Sequence, residues 1–505
     1  MNASITASML YDYVQCPHRV YLDIFGDPNR RDPISAFVQL LWERGSAFER
    51  ETIEKLQIPF ENHRVYSAEE NEQLTLEAMK RGDSLIYGGR IRIGNLLGEP
   101  DLISKRLSGY VAGDIKSGAG FEGMSEESDG KPKKHYAVQL GLYTDILDKL
   151  GFSYGHNPFV WDINGEEVIY ELDSPMGKRD KTSLWEFYES CLETVSLIVE
   201  QKKKTRPALC SMCKLCHWRS FCKVQLKGMD DLSLIPELGR SRRDAMSSHF
   251  KNLGDLADCD LTDFIHGNKS VIPGIGSRML ETFQERAKLL NQPETGPYLK
   301  DKISLPHAES ELFFDVETDP MRDICYLHGF VERRNSDSQT EKYIAFYANQ
   351  PTPDDERGAF EEAWDYIQSC QPCVIYYYSP YERTTWRKLQ KRYPDVMTEV
   401  NLENMFSPDF AVDLYLNVVK SKTEWPTNDY SIKTLATYLG FKWRDKEPSG
   451  AASIEWYHRW VETGDAALLQ RIIDYNEDDC IAMRVLLDAI KDLPIERMVS
   501  CSCQV

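Results

Sequence analysis

The chain has 505 residues, 28% charged and 42% hydrophobic, the balance of a globular rather than a disordered protein, and it allows two to four domains with cores of their own. No apolar run approaches a membrane span and the N-terminus does not read as a secretory signal, so the expectation is a cytoplasmic protein with no membrane partner. A net charge of −20 excludes a uniformly basic surface, and the local basic runs (Lys131, Lys133 and Lys134; Lys202 to Lys204; Arg240, Arg242 and Arg243) each read as a solvated face when taken alone.

The elements read as α/β throughout. Residues 1 to about 226 begin in helical text and end at a cysteine cluster; residues 229–296 are mostly helical; the Pro/Gly-rich stretch QPETGPYLKDKISLPH reads as a linker; residues 306–495 open on an apolar strand and close on a helix.

Within the first part, GEPDLISKRLSGYVAGDIKSG places Asp114 and Lys116 two apart, on one face of a strand. Asp101 lies upstream, before the turn-like KRLSG, and a hairpin would bring it beside Asp114. Two carboxylates and the carbonyl of Ile115 are hard oxygen donors of the kind magnesium prefers, and a lysine beside them can orient or deprotonate water or stabilise charge on a phosphate. Gln139 and Tyr143, four apart, share a helical face.

Thirteen cysteines in a chain read as intracellular do not suggest a disulfide framework. Cys213, Cys216 and Cys222 have the spacing C-x2-C-x5-C, and Cys16 stands far upstream in QCPHRVYL. Soft thiolates at this spacing suit iron–sulfur or zinc ligation, with Cys210 and His217 the alternative donors of a zinc knuckle.

The middle segment carries VIPGIGSRMLETF, in which Gly274 and Gly276 flank Ile275, and a looser copy, IPELGRSRRDAM, around Gly239. Such a turn before a helix can present backbone N–H groups to a phosphate, as in a helix–hairpin–helix; a glycine-capped helical connector is the plainer reading.

In the last part ELFFDVETDP sets Asp315 and Glu317 on one face of an apolar strand, a burden that a metal ion would compensate. In DYNEDDCIAMRVLLDAI, Tyr475 and Asp479 are four apart on a helix. YYYSPYERTTW offers Glu382; Asp413 in AVDLY reads as support for a strand end and Lys433 in SIKTLA as a surface or supporting contact.

Together, G-x-x-D, D-x-K and Q-x-x-x-Y resemble the RecB nuclease family of the PD-(D/E)xK, restriction-endonuclease-like fold. Cys16 with the late cysteine triplet resembles the AddB-type nucleases and the CRISPR adaptation exonucleases, which implies a 4Fe–4S cluster on Cys16, Cys213, Cys216 and Cys222, with Cys210 spare. The resemblance implies catalytic roles for Asp101, Asp114, Lys116, Gln139 and Tyr143, and it puts Glu49, in RGSAFERE, where that family often has a metal-binding histidine. The last part resembles YprB-type RNase H-like domains of the DEDDy exonuclease class. There Asp315, Glu317, Glu382 and Asp479 would hold two Mg2+ or Mn2+ ions and Tyr475 would orient water, Glu382 standing where aspartate is common. The expectation is a metal-dependent nuclease, exonuclease rather than endonuclease, that acts on single-stranded or free-ended DNA in repair, recombination or defence. Since the chain has no Walker A text, any helicase partner would be a separate chain. A nucleic-acid-binding adaptor with silent sites is the alternative.

Overall fold

The computed structural model describes residues 4–125, 128–177, 180–446 and 448–495. The chain divides into two compact units, Met1–Pro207 with Ser211–Val224 and Ala208–Cys210 with Gln225–Val505.

In the first unit helices α1 (Ala7–Gln15), α2 (Pro17–Phe25), α3 (Ala36–Glu54) and α4 (Ala68–Arg81) precede most of a six-stranded sheet. Its strands are β1 (Glu61–Asn62), β2 (Leu85–Tyr87), β3 (Leu102–Lys105), β4 (Tyr110–Ile115), β5 (Phe159–Trp161) and β6 (Glu167–Ile169), and they lie in chain order across the sheet. β3 and β4 form the expected antiparallel hairpin, with Leu102 opposite Gly113. Asp101 therefore stands immediately before β3. Every residue of β4 is buried because both faces are covered. Tyr110 and Ala112 pack with α5 (Lys134–Leu150) and α6 (Leu184–Val199), while Val111 and Ile115 pack with Ile53 and Phe159. Strand alternation thus turns Asp114 towards the α5 side.

The second unit begins with a small helical module, α7 (Gly239–Met246), α8 (Leu253–Asp258) and α9 (Ser277–Asn291), around Leu238, Met246, Ile275 and Leu280. It continues into a five-stranded sheet of β7 (Ser310–Asp319), β8 (Ile324–Arg334), β9 (Asp337–Tyr347), β10 (Cys373–Tyr377) and β11 (Ala411–Asp413). The spatial order is β9-β8-β7-β10-β11; the first three strands are antiparallel and the last three parallel. Leu312, Phe314 and Val316 of β7 pack with α10 (Pro353–Ser369) and α11 (Tyr381–Arg392). Phe313 packs on the opposite face, with α12 (Ile432–Tyr438) and the 26-residue α14 (Ala466–Lys491). A further helix, α13 (Gly450–Thr463), packs beside α14.

The Pro/Gly-rich stretch is not a free spacer. Tyr298 and Leu299 pair with Glu424 and Thr423. Arg286 of α9 donates from Nε to Glu424 Oε2 at 3.0 Å and from Nη2 to Oε1 at 3.3 Å, and Lys300 adds a 2.8 Å contact. These buried charges fasten the helical module to the sheet domain within one unit. Among the described residues no helix is long and apolar enough to cross a membrane.

Candidate functional sites

The period of strand β7 explains the C-terminal site. Asp315 and Glu317 share parity with Phe313 and face α14, whose Asp479 meets them; ligand oxygens of the three lie within 4.8 Å of one another. Asn476, three residues before Asp479, donates to Asp315 Oδ2 at 2.7 Å. It can do so because Gly329 stands opposite Asp315 across the β7–β8 ladder, where a Cβ would fall 1.6 Å from Asn476 Oδ1. Trp443 Nε1 donates to Asp479 Oδ1 at 2.7 Å.

Lys433, read from sequence as a surface or supporting group, reaches into the site from α12. Its Nζ donates to the Tyr475 hydroxyl at 2.7 Å and lies 3.2 Å from Asp479 Oδ2. Glu382 is buried at the start of α11, and among the described residues its Oε2 is buried with no hydrogen-bond partner. Burial, then the charges of Glu317, Asp479 and Glu382, pushes the Asp315 carboxyl well above its ordinary range, but Glu382 is not among the groups whose ligand oxygens lie within 4.8 Å of one another. Burial and the charge of Asp479 push Glu317 up to about 8. Asp413 ends β11 and accepts from the Ser379 and Leu416 N–H groups at 3.1 and 2.9 Å.

The N-terminal cluster is assembled by the β3–β4 hairpin. Asp101 Oδ2 accepts from the Ile115 N–H at 2.9 Å, and Lys116 Nζ lies 2.8 Å from Asp114 Oδ2. Glu49 of α3 is drawn to the same place: Arg64 Nη2 donates to Glu49 Oε1 at 2.8 Å and to Asp101 Oδ1 at 2.5 Å. Burial, Asp114 and Glu49 together push Asp101 up to about 7. Lys116 is held above its ordinary value; burial opposes its charge, but the Asp114 and Asp101 carboxylates outweigh it. Tyr143 of α5 is buried, its acidity weakened by burial and then by Asp114 and Asp101. One turn earlier, among the described residues, Gln139 Oε1 is buried without a partner. Arg64 carries no motif signal in ENHRVY, and the sequence reading missed it.

Hard oxygen donors that lie within 4.8 Å of one another and carboxylates driven towards protonation by one another fit a divalent cation at the Asp315, Glu317 and Asp479 cluster. Because the folded-state pKa values of Glu317 and Asp101 lie above those of an unfolded chain, the metal-free protein binds protons more tightly when folded. Their contribution to stability is present below the ordinary carboxylate range and is lost as pH rises through about 7 to 8. In EDTA the Tm is expected to be lower at pH 8.5 than at pH 6, and Mn2+ should raise it most at pH 8.5. Equal Mn2+ shifts at both pH values would show that these carboxylates do not hold the ion.

The cysteines lie at the end of the first unit and at its beginning. Cys16 separates α1 from α2; Cys213 and Cys216 lie in and just after the turn Ser211–Leu215; Cys222 is on the helix Arg219–Gly228. The segment around them docks on the N-terminal helices: Trp218 Nε1 and His217 Nε2 meet Asp23 Oδ1 at 2.9 and 2.7 Å, and Ser220 N–H donates to Asp32 at 2.8 Å. The Cys216 thiol is pushed up, mainly by burial, and Cys16 is among the groups that act on it. Cys210 belongs to the other unit.

In the helical module Gly239 and Gly274 have φ of +70° and +75°, and Gly276 caps α9. The two glycine turns line one pocket of about 370 Å3 with Leu238, Arg240, Arg242 and Pro273. Arg243, grouped from sequence with those arginines, is instead buried and pairs with the buried Asp231 at 3.2 Å.

No curated protein matches the chain. Residues 312–491, which contain Asp315, Glu317, Glu382, Lys433, Tyr475 and Asp479, match the family model of the RNase_H superfamily, so this part of the chain is an RNase H-like domain, a fold that is generally a nuclease.

Proposed function

We propose that the protein is a metal-dependent nuclease that hydrolyses DNA phosphodiester bonds, single-stranded or free-ended, at two carboxylate sites. The carrying observation is the buried convergence of Asp315, Glu317 and Asp479 inside the RNase H-like domain. A divalent ion bound there supplies charge for the phosphoryl oxygens and acidifies water. Asp315, Glu317, Asp479 and Glu382 would hold it. Tyr475, whose acidity is weakened by burial and then by Asp479, keeps its proton and, fixed by the Lys433 ammonium, orients the attacking water through its hydroxyl. Asn476 holds Asp315 in place.

The N-terminal cluster supports a second site of PD-(D/E)xK type, with Glu49, Asp101, Asp114 and the Ile115 carbonyl as ligands. Lys116 stays charged between Asp114 and Asp101, which favours stabilising a phosphate over abstracting a proton. Gln139 offers an acceptor and Tyr143 the wall behind it. Arg240 and Arg242, beside the helix N-termini at Gly239 and Gly276, support a helix–hairpin–helix grip on the backbone. The test is release of nucleotides from end-labelled DNA by the full chain in Mg2+ or Mn2+, abolished by EDTA. A chain that binds DNA yet releases nothing in either metal is an adaptor.

The C-x2-C-x5-C spacing, with residues 217–220 docked on Asp23 and Asp32 of the segment that follows Cys16, supports a 4Fe–4S clamp on Cys16, Cys213, Cys216 and Cys222. Anaerobically purified protein should be brown and contain iron. Cys213→Ser should lose the colour and become protease-sensitive, because the cluster would join segments far apart in the chain. Colourless protein with stoichiometric zinc would replace the iron–sulfur reading with a zinc clamp.

A further inference from the structure

Arg64 sits in a seat made for a guanidinium. Its backbone N–H is fixed by Asn62 Oδ1 at 3.0 Å, and its head lies 5.5 Å from the centre of the Tyr87 ring. Gly88, at φ +69°, clears the way: a Cβ there would stand 2.5 Å from Arg64 Cγ. Tyr87 also donates its hydroxyl to Glu49 Oε1 at 2.9 Å, so the oxygen that Arg64 holds is fixed from two sides.

The consequence for an ion follows from the oxygen inventory. Asp101 Oδ2 is taken by the Ile115 N–H, and Asp101 Oδ1 is taken by Arg64. Asp114 Oδ2 is taken by Lys116. A divalent cation that binds Asp101 through Oδ1 meets the positive guanidinium on the same oxygen and is opposed by its charge. Arg64 can yield it, since its side chain is 42% exposed and has solvent to enter.

We propose that Arg64 is a built-in competitor for the divalent ion of the N-terminal site, holding Glu49 and Asp101 until the ion displaces it. This rests on the reading of Glu49, Asp101 and Asp114 as metal ligands. The resident guanidinium offsets part of the cluster's charge in the metal-free protein and sets its ion affinity below what the carboxylates alone would give. A single guanidinium nitrogen, Nη2, reaches both carboxylates from a flexible stem, and it adds no bond that the ion cannot replace.

The test is Mn2+ binding to the full chain, followed by the electron paramagnetic resonance signal of free Mn2+. Asp315→Asn and Asp479→Asn are present throughout to disable the RNase H-like site. Arg64→Gln should tighten the Asp114-dependent Mn2+ about tenfold, the effect of removing two partly exposed ion pairs from the competition. Arg64→Lys, which keeps the charge on a shorter stem and loses the guanidinium's place over the Tyr87 ring, should fall between the two. Adding Asp114→Asn should remove the ion in every case. Asp114-dependent Mn2+ with unchanged or weakened affinity in both Arg64 variants overturns the competitor role while leaving the metal site standing. Absence of any Asp114-dependent Mn2+ overturns the metal site itself and the competitor with it.

Discussion

In a chain that already carries Asp114→Ala, Asp315→Asn is expected to slow Mn2+-dependent nucleotide release by about 10³-fold, because metal charge stabilisation is worth several kcal/mol and each 1.36 kcal/mol is tenfold. The substitution is nearly isosteric, and the new amide oxygen can still accept from Asn476, so the fold around it should persist. It also removes one charge from a buried group of mutually repelling carboxylates. In EDTA the variant should therefore melt at a higher temperature than its parent, and the stabilisation by Mn2+ should shrink. A merely structural Asp315 would show the reverse: lower stability with release little changed.

Glu424→Ala should destabilise the second unit by about 3–5 kcal/mol, the range for breaking a buried pair and stranding the surviving charge. Glu424 is 1% exposed and serves Arg286, Lys300 and the Tyr430 hydroxyl at once. Arg286 is buried as well, stacked over Tyr430 and bonded to the Pro236 carbonyl at 3.0 Å, and without Glu424 it keeps only the partly exposed Glu237 carboxylate at 3.2 Å. The urea midpoint should fall steeply in Glu424→Ala. It should fall much less in Arg286→Met combined with Glu424→Leu, where apolar side chains replace the buried pair and only the partly exposed Lys300 loses its partner. A small loss in the single variant would mean that Glu237 alone keeps Arg286 compensated.

The legible part of these sites is the part with a period. Asp114 with Lys116, and Asp315 with Glu317, share a strand face because side chains alternate, and Tyr475 with Asp479 share a helical face because four residues make about one turn. The groups that tune those carboxylates had no such signal. Lys433 and Arg64 arrive from separate segments, and Asn476 reaches Asp315 only because Gly329 lies opposite in the strand register. The arginines of RSRRDAM look alike as letters. Only packing shows that Arg243 is buried on Asp231 while Arg240 and Arg242 line the pocket beside Gly274. The linker reading failed for the same reason: its composition is that of a spacer, but Tyr298 and Leu299 pair with a strand more than a hundred residues later, at Thr423 and Glu424.

Two metal-dependent sites in one chain are tested most directly by a four-way comparison on end-labelled single-stranded DNA in Mn2+: the unaltered chain, Asp114→Ala, Asp315→Asn and the double variant. Each single variant should retain part of the release and the double variant none, with DNA binding preserved in all four. Release by the double variant at the rate of the unaltered chain would contradict both assignments.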